Sequence, residues 1–350
     1  MSKILLISPP WRLPSNSSLA LGTLRPILER AGLPTDTLYG NLLFPWTPSV
    51  TYLESWSSWL FLPHLYPQVK KEDAVAALLR HLLDEYNMQG VRYPRYQVRF
   101  SDLGFDEAEL RAQALADVDR AGICLDRCVE RAAIADYDVI GLSTTFESQL
   151  PAALAIARRV KALRPDVRIA LGGAACFEMQ GDGLAASFPE IDAVCHAEGE
   201  AVIVALMRAL RGEGTLRDVP GIAYRDRDGV LHHNPSPPQL GDLDQLPIPE
   251  YDDFLAQFAA SDWSKTGGDI ADPQLFFETS RGCWWGQKHL CSFCGLNAEG
   301  LNYRKKSAQR VFDEIHTLYS RYPQVRYMQA TDNILDMGFL KDPLPRLAPL

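Results

Sequence analysis

The sequence has no apolar run approaching the roughly 18 residues that a membrane helix needs. Met1-Ser2-Lys3 leads directly into a short aliphatic stretch, with no signal h-region or cleavage site, so a cytoplasmic protein away from membranes is expected. A cationic surplus is missing too. The 35 Lys and Arg stand against 44 Asp and Glu, a net charge of -9, which argues against a long phosphate backbone and so against a nucleic-acid partner. Internal repeats and low-complexity tracts are absent, and with 23% charged and 47% hydrophobic residues disorder is excluded as the main state. Cysteine is sparse but oddly placed. Seven residues form an odd count in a chain with no export signal, which disfavours disulfides, and three of them crowd into 283–294, which favours metal or redox chemistry. The charge is also uneven. Residues 272–350 carry a net +2 and residues 1–271 a net -11, so an anionic ligand would be better received in the C-terminal part.

The 350 residues give room for two domains. An aliphatic strand at 3–7 is followed by Ser8-Pro9-Pro10, a helix at 19–30 with Leu21, Leu24 and Leu28 on one face, a stop at Gly32 and a second strand at 34–38. The alternation resumes with strands at 139–142, 167–171 and 191–194 and helices at 152–163, 183–187 and 201–211. This pattern predicts an α/β fold with a parallel sheet covered on both faces. Residues 44–133 interrupt it with helical runs at 72–86 and 107–129 and no clear strand. They read as a helical insertion in one sheet domain, with Trp46, Trp56 and Trp59 as a packed core and Cys124 and Cys128 as core filling. A hairpin is expected at 221–224 and 230–232 around Asp226-Arg227-Asp228-Gly229. A domain boundary is expected where Pro235, Pro237, Pro238, Pro247 and Pro249 accumulate. The expected units are thus a sheet domain at 1–240, a Pro-rich linker at 241–271 and a second β/α series at 272–350, with strands at 275–279 and 325–329, a helix at 308–322 and another beginning near 340.

Cys283, Cys291 and Cys294 are separated by seven and then two residues on a loop after an apolar strand, which is where α/β folds place their chemistry. Three thiolates suit a four-iron cluster with one iron left open to bind a ligand. Zinc is the alternative, with His289 as a fourth ligand, although the usual zinc pattern pairs two short knuckles.

The segments Glu278-Thr279-Ser280-Arg281-Gly282-Cys283-Trp284-Trp285-Gly286 and Cys291-Ser292-Phe293-Cys294-Gly295-Leu296-Asn297 resemble the cluster loop of cobalamin-dependent radical SAM enzymes. They are most similar to the branch that C-methylates ribosomally made peptides, which shares this spacing. The resemblance extends to Ser8-Pro9-Pro10-Trp11 and to Leu246-Pro247-Ile248-Pro249. It implies a Rossmann-like cobalamin-binding domain of flavodoxin-like strand order, followed by a radical SAM (β/α) partial barrel. It also implies that Cys283, Cys291 and Cys294 ligate a 4Fe-4S cluster whose open iron binds S-adenosylmethionine, that Phe293 contacts the adenine through its backbone, and that Asp332 and Asn333 hold the methionine amino group. For these last two a strand-end turn and helix cap is the competing reading.

With flavodoxin-like order, ligands sit over the loops after Ser8 and Ser143. Ser143, Thr144 and Thr145 offer three hydroxyls, Gly172 and Gly173 permit close backbone approach, and Glu198-Gly199-Glu200 follow the fifth strand. A nucleotide or flavin would suit such loops, and the resemblance prefers cobalamin. On that reading the hydroxyls and glycines line the nucleotide tail, Glu198 to Glu200 reach the corrin edge, and a bulky residue at Gly172 or Gly173 clashes with the tail. The first half has no Asp-x-His-x-x-Gly motif, which implies base-off cobalamin without a histidine ligand. His196 is expected to be a hydrogen-bonded loop residue, and His232 and His233 to face solvent. The implied activity is C-methylation of an unactivated carbon in a peptide precursor of a ribosomally made natural product, using a deoxyadenosyl radical, methylcobalamin and an external electron donor. A radical SAM barrel normally has about six β/α units. The few elements after Cys294 lead to the expectation of a truncated chain, inactive unless another polypeptide completes it.

Overall fold

The computed structural model describes residues 3–47, 53–89, 99–134, 137–177, 179–267, 272–289, 291–292, 294 and 302–347. The first half is built on β1 (Lys3–Ser8), α1 (Leu19–Arg30) and β2 (Thr35–Tyr39), then α2 (Leu53–Leu65), α3 (Lys71–Gln89) and α4 (Glu107–Ile134). It continues with β3 (Tyr137–Ser143), α5 (Leu150–Leu163), β4 (Arg168–Gly172), α6 (Met179–Ser187), β5 (Ala193–Cys195), α7 (Gly199–Leu210), β6 (Ile222–Arg225) and β7 (Leu231–His233). The sheet order is β2-β1-β3-β4-β5-β6-β7. The first five strands are parallel in the flavodoxin-like order, with Ile4 beside both Thr35 and Val139. β1 is buried from Ile4 to Ser8, as expected of a central parallel strand covered on both faces. From β1 the chain adds β2 on one side and then crosses to add β3 on the other, so the switch point lies between β1 and β3.

The hairpin forms, and it also extends the main sheet: β6 runs antiparallel to β5 and β7 antiparallel to β6. Asp226 organises its turn by accepting from the amides of Asp228 and Val230, and Gly229 adopts φ +81°. In the helical segment before β3, Trp56 is buried and Trp59 packs on the core, whereas Trp46 is half exposed. Cys124 and Cys128 are fully buried, and the Cys124 thiol donates to the Gly40 carbonyl. Among the described residues no helix is long and apolar enough to cross a membrane.

Residues expected as a linker hold a helix, α8 (Asp252–Ala260), whose Phe254 and Phe258 enter the core together with Trp263. The prolines stop just before it, so they do not oppose it. Gln257 of α8 accepts from the Tyr39 amide and donates to the Thr37 carbonyl, which satisfies the open edge of β2 with a side chain in place of a strand.

The second half contains β8 (Gln274–Phe277), β9 (Ser280–Arg281), β10 (Arg304–Lys305), α9 (Ala308–Arg321), β11 (Tyr327–Ala330) and the short α10 (Leu344–Leu347). β8 and β11 are parallel, and β9 and β10 form an antiparallel ribbon at the cysteine loop. Gln274 donates to Ser15 O and accepts from the Ser17 amide, and the Phe276 amide donates to Ser17 Oγ. These bonds seat the second half on the loop that follows β1.

Candidate functional site

Over the C-terminal ends of β1, β3 and β4 opens a cavity of about 850 Å³. Its floor is apolar, with Leu6, Leu142, Leu171, Ile203 and Met207, and Gly141 keeps it flat: a Cβ there would stand 2.7 Å from Leu6 Cδ2. The opposite wall comes from the second half, with Phe276 and Glu278 at the end of β8, Arg281 of β9, and Gln329, Thr331 and Asn333 at the end of β11. Arg12 joins the two sides, its guanidinium carbon 5.3 Å from the ring centre of Phe146 and 5.1 Å from that of Phe276.

Most of the residues expected over the sheet meet here. Ser143, Thr145, Gly172, Gly173, Glu198, Gly199 and Glu200 line the cavity. Thr144 does not. It is fully buried, and both its amide and its hydroxyl bond to Gly172 O, so its role is to lock the loops after β3 and β4 together. Gly173 has φ +108°, and a Cβ on it would lie 2.2 Å from Thr144 O. The expected clash of a bulky residue with a cofactor tail is thus preceded at this position by a clash with the protein's own backbone. At Gly172 a Cβ would meet Cys195 Cβ at 3.4 Å, a tight but open fit.

Glu198 and Glu200 reach the cavity rim with their carboxylates already engaged. Glu198 Oε1 lies 2.7 Å from Arg304 Nη2 and 3.2 Å from Arg281 Nη1, and Glu200 Oε1 lies 2.6 Å from Arg281 Nη2. Burial opposes the charge of Glu198, but bonds from Arg304 and the Leu240 amide outweigh it and hold the carboxyl below its usual range. Arg281 and Arg304 were not singled out in the sequence. Arg281 lies in the quoted motif beside Glu278, but its other partners, Glu198 and Glu200, lie far away in the chain.

Asp332 and Asn333 separate. The Asp332 carboxylate accepts from the amides of Thr279 and Ser280 and from the Thr279 hydroxyl, as a clamp on the turn between β8 and β9, while Asn333 lines the cavity. His196 is a buried, hydrogen-bonded loop residue, its Nδ1 3.2 Å from Ser236 Oγ. His232 and His233, expected to face solvent, are part exposed but paired, with Asp226 and Asp182 at 2.7 and 2.8 Å. Phe293 lies outside the described residues.

Cys283, Cys291 and Cys294 share one loop, are half exposed and form no disulfide. Gly286 N donates to Cys283 Sγ at 3.3 Å, and Cys294 N to Cys291 O at 3.1 Å, which puts the last two on one turn. Among the described residues no three His, Cys, Asp or Glu side chains converge on a metal position. The loop therefore carries the soft donor set that an iron–sulfur cluster takes without presenting it as a gathered site. The cavity suits a large ligand with an extensive apolar face.

A family profile described as B12 binding domain matches residues 99–207, from the start of the α4 segment through most of α7. The match takes in α4 together with β3, β4 and β5. The chain is 28% identical over 274 residues to the cytidylyl-2-hydroxyethylphosphonate methyltransferase of Streptomyces wedmorensis, over 68% of this chain and 48% of that protein. It is 29% identical over 146 residues to the anaerobic magnesium-protoporphyrin IX monomethyl ester cyclase of a Synechocystis strain, over 41% and 26%. The chain spans about half the length, or less, of these curated relatives. The cobalamin-dependent S-adenosylmethionine radical enzyme OxsB superposes with a TM-score of 0.57 at 16% identity, over 95% of this chain and 34% of that one. The radical S-adenosylmethionine methyltransferase TsrM from Kitasatospora setae, with cobalamin and a 4Fe-4S cluster bound, gives 0.55 at 16%, over 97% and 51%. The chain thus joins a B12-binding domain match to the fold of cobalamin-dependent radical SAM enzymes, and its relatives include methyltransferases.

Proposed function

We propose that the protein is a cobalamin-dependent radical SAM methyltransferase that acts on an unactivated carbon of a ribosomally made peptide. One observation carries the reading: a single cavity is floored by the B12-domain strand ends and walled by the strands that flank the cysteine loop. A reaction needing two large cofactors face to face needs such an arrangement. With both groups bound, the cluster supplies one-electron cleavage of S-adenosylmethionine and the cobalamin supplies the methyl group.

The chain's own residues bind and orient. Cys283, Cys291 and Cys294 would hold the cluster, the apolar floor with Gly141 would seat the corrin, and Ser143, Thr145 and Gly172 would take its polar tail. Gln329, Thr331 and Asn333 offer polar contacts for S-adenosylmethionine on the facing wall, and the apolar lining excludes water. The peptide assignment rests on the resemblance of the cysteine loop, with its seven-then-two spacing, to the branch that C-methylates ribosomally made peptides.

The test is anaerobic loading with iron, sulfide and hydroxocobalamin, followed by elemental analysis and by incubation with S-adenosylmethionine, a low-potential reductant and candidate peptides. About four irons and one cobalamin per chain are expected, and, once the barrel is completed, a peptide heavier by one CH2 unit as methyl replaces hydrogen. Stoichiometric zinc, or flavin bound in preference to cobalamin, would overturn the cofactor reading. Methylation confined to small phosphonates or nucleotides would overturn the peptide.

A further inference from the structure

Arg281 stands two residues before Cys283, and three carboxylates share its guanidinium. Nη1 is 3.2 Å from Glu198 Oε1, Nη2 is 2.6 Å from Glu200 Oε1 and 2.7 Å from Glu278 Oε1, and Nε donates to Glu278 Oε2 at 2.9 Å. Two of these acids sit at the N-terminus of α7, on the rim of the sheet cavity, while Glu278 follows β8. Arg304, paired with Arg281 across the β9–β10 ribbon, takes both oxygens of Glu198 and the Leu240 carbonyl. All five side chains are at most 18% exposed, so water screens them little. Two guanidinium groups against three carboxylates leave one negative charge in excess, and the acids stay together only while both arginines stand between them.

The link from Arg281 to the first cysteine is short and tight. Gly282 has φ +79°, and a Cβ there would lie 2.6 Å from Asn302 O. A planar guanidinium can serve three acceptors at fixed angles, whereas a lysine ammonium is a point charge without that fork.

We propose that Arg281 is a positioning residue that joins the cysteine loop to the α7 end of the sheet cavity, so that a ligand seated in the cavity alters the surroundings of the cluster. The proposal rests on the two-cofactor reading of that cavity. Linkage makes the coupling reciprocal: the cluster then also alters the affinity for the cavity ligand.

The experiment uses the full chain as wild type, Arg281→Lys and Arg281→Gln. Amide hydrogen exchange is measured in the metal-free proteins, and the reduced cluster's EPR spectrum is recorded before and after saturation with cobalamin, in excess reductant so that both groups stay reduced and with the cob(II)alamin signal subtracted. In both variants exchange should quicken by about tenfold or more in segments 278–289 and 198–203 together, with β1 and β3 unchanged. Wild type should show cobalamin-dependent g values, and Arg281→Lys should bind both groups at wild-type stoichiometry while losing that dependence. An Arg281→Lys protein that keeps the wild-type EPR response, or exchange that quickens in 278–289 alone, would overturn the coupling. A wild-type chain that takes up no cobalamin or no cluster sinks the two-cofactor reading, and the exchange data still decide whether the two segments are joined.

Discussion

Thr144 reaches one carbonyl twice: its amide nitrogen lies 2.7 Å and its hydroxyl 3.1 Å from the oxygen of Gly172. The Thr144 carbonyl in turn accepts from Ala175 N at 3.2 Å, so the loops after β3 and β4 are tied on both sides of the switch point. Gly173 passes between them with φ +108°, a conformation that side-chain-bearing residues rarely adopt.

Gly173→Ala should therefore lower stability by about 2–4 kcal/mol, from backbone strain and the overlap with Thr144 O. Thr144→Val keeps the shape and loses the hydroxyl's buried contacts with Gly172 O and Cys176 Sγ, so about 1–2 kcal/mol is expected. Urea titrations of the two variants check both, and a Gly173→Ala protein as stable as wild type would contradict the tied-loop geometry.

The seven thiols should divide by reactivity. Burial pushes Cys176 up to about 12 and Cys195 up to about 11, and raises Cys124 as well. Brief treatment of the metal-free folded protein with iodoacetamide near pH 8 should alkylate the partly exposed Cys283, Cys291 and Cys294 and spare the four buried thiols, Cys124, Cys128, Cys176 and Cys195. Peptide mass spectrometry reads the sites, and the spared thiols should react once urea is added.

His196 makes stability depend on pH. Burial, together with the ring of His233 stacked at 4.4 Å, depresses its pKa below the ordinary 6.5. Below pH 6.5 the unfolded chain then binds more protons than the folded one, so stability falls as pH drops from 6.5 towards the folded-state value. His64, depressed chiefly by burial, adds to the same trend. The His196→Gln variant should show a shallower loss between pH 6.5 and 5 in chemical denaturation. An unchanged slope would mean that His196 titrates alike in both states.

Lys306 and Glu314 are almost fully buried, with Nζ 2.8 and 2.7 Å from the two carboxylate oxygens. Removing Lys306 leaves the buried Glu314 carboxylate with Arg310 alone, 3.1 Å from Oε2, so Lys306→Met should cost about 2–3 kcal/mol, less than the ~3–5 kcal/mol of a fully stranded charge. The double variant Lys306→Met/Glu314→Leu should recover much of that loss. Thermal unfolding of the single and double variants closes the cycle, and additive losses would show the pair to be uncoupled.

The parallel sheet could be read from the sequence because each strand is an apolar run punctuated by a turn, from 3–7 through 191–194, and alternates with helices, whereas the flavodoxin-like order is what the family resemblance implies. The cavity loops then follow: once the order is known, Ser143 and Gly172 must lie at the switch point. Side-chain direction could not. Ser143, Thr144 and Thr145 look alike in sequence, yet the middle one turns inward because successive residues of an extended chain face opposite ways. The Arg281–Arg304 network stayed hidden because Glu198 and Leu240 meet these arginines only after folding. Helix α8 was hidden by the prolines just before it, and its purpose, capping the edge of β2 through Gln257, is a tertiary one.

The bond pattern around Tyr251 bears on how such a chain can be recombined. Its amide donates to the Tyr322 hydroxyl, its own hydroxyl donates to Phe276 O, and its ring lies so close to Gly22 that a Cβ there would stand 3.0 Å from Cε1. The boundary that the prolines mark is therefore no neutral crossover for chimeras. A hybrid cut within 241–271 would join a Tyr251 from one parent to a residue 22, a β8 or an α9 from the other. Positions 22, 251 and 322 have to be inherited together, whereas position 276 offers only its backbone carbonyl, so a graft of the N-terminal sheet onto a different partner would have to carry this threesome with it.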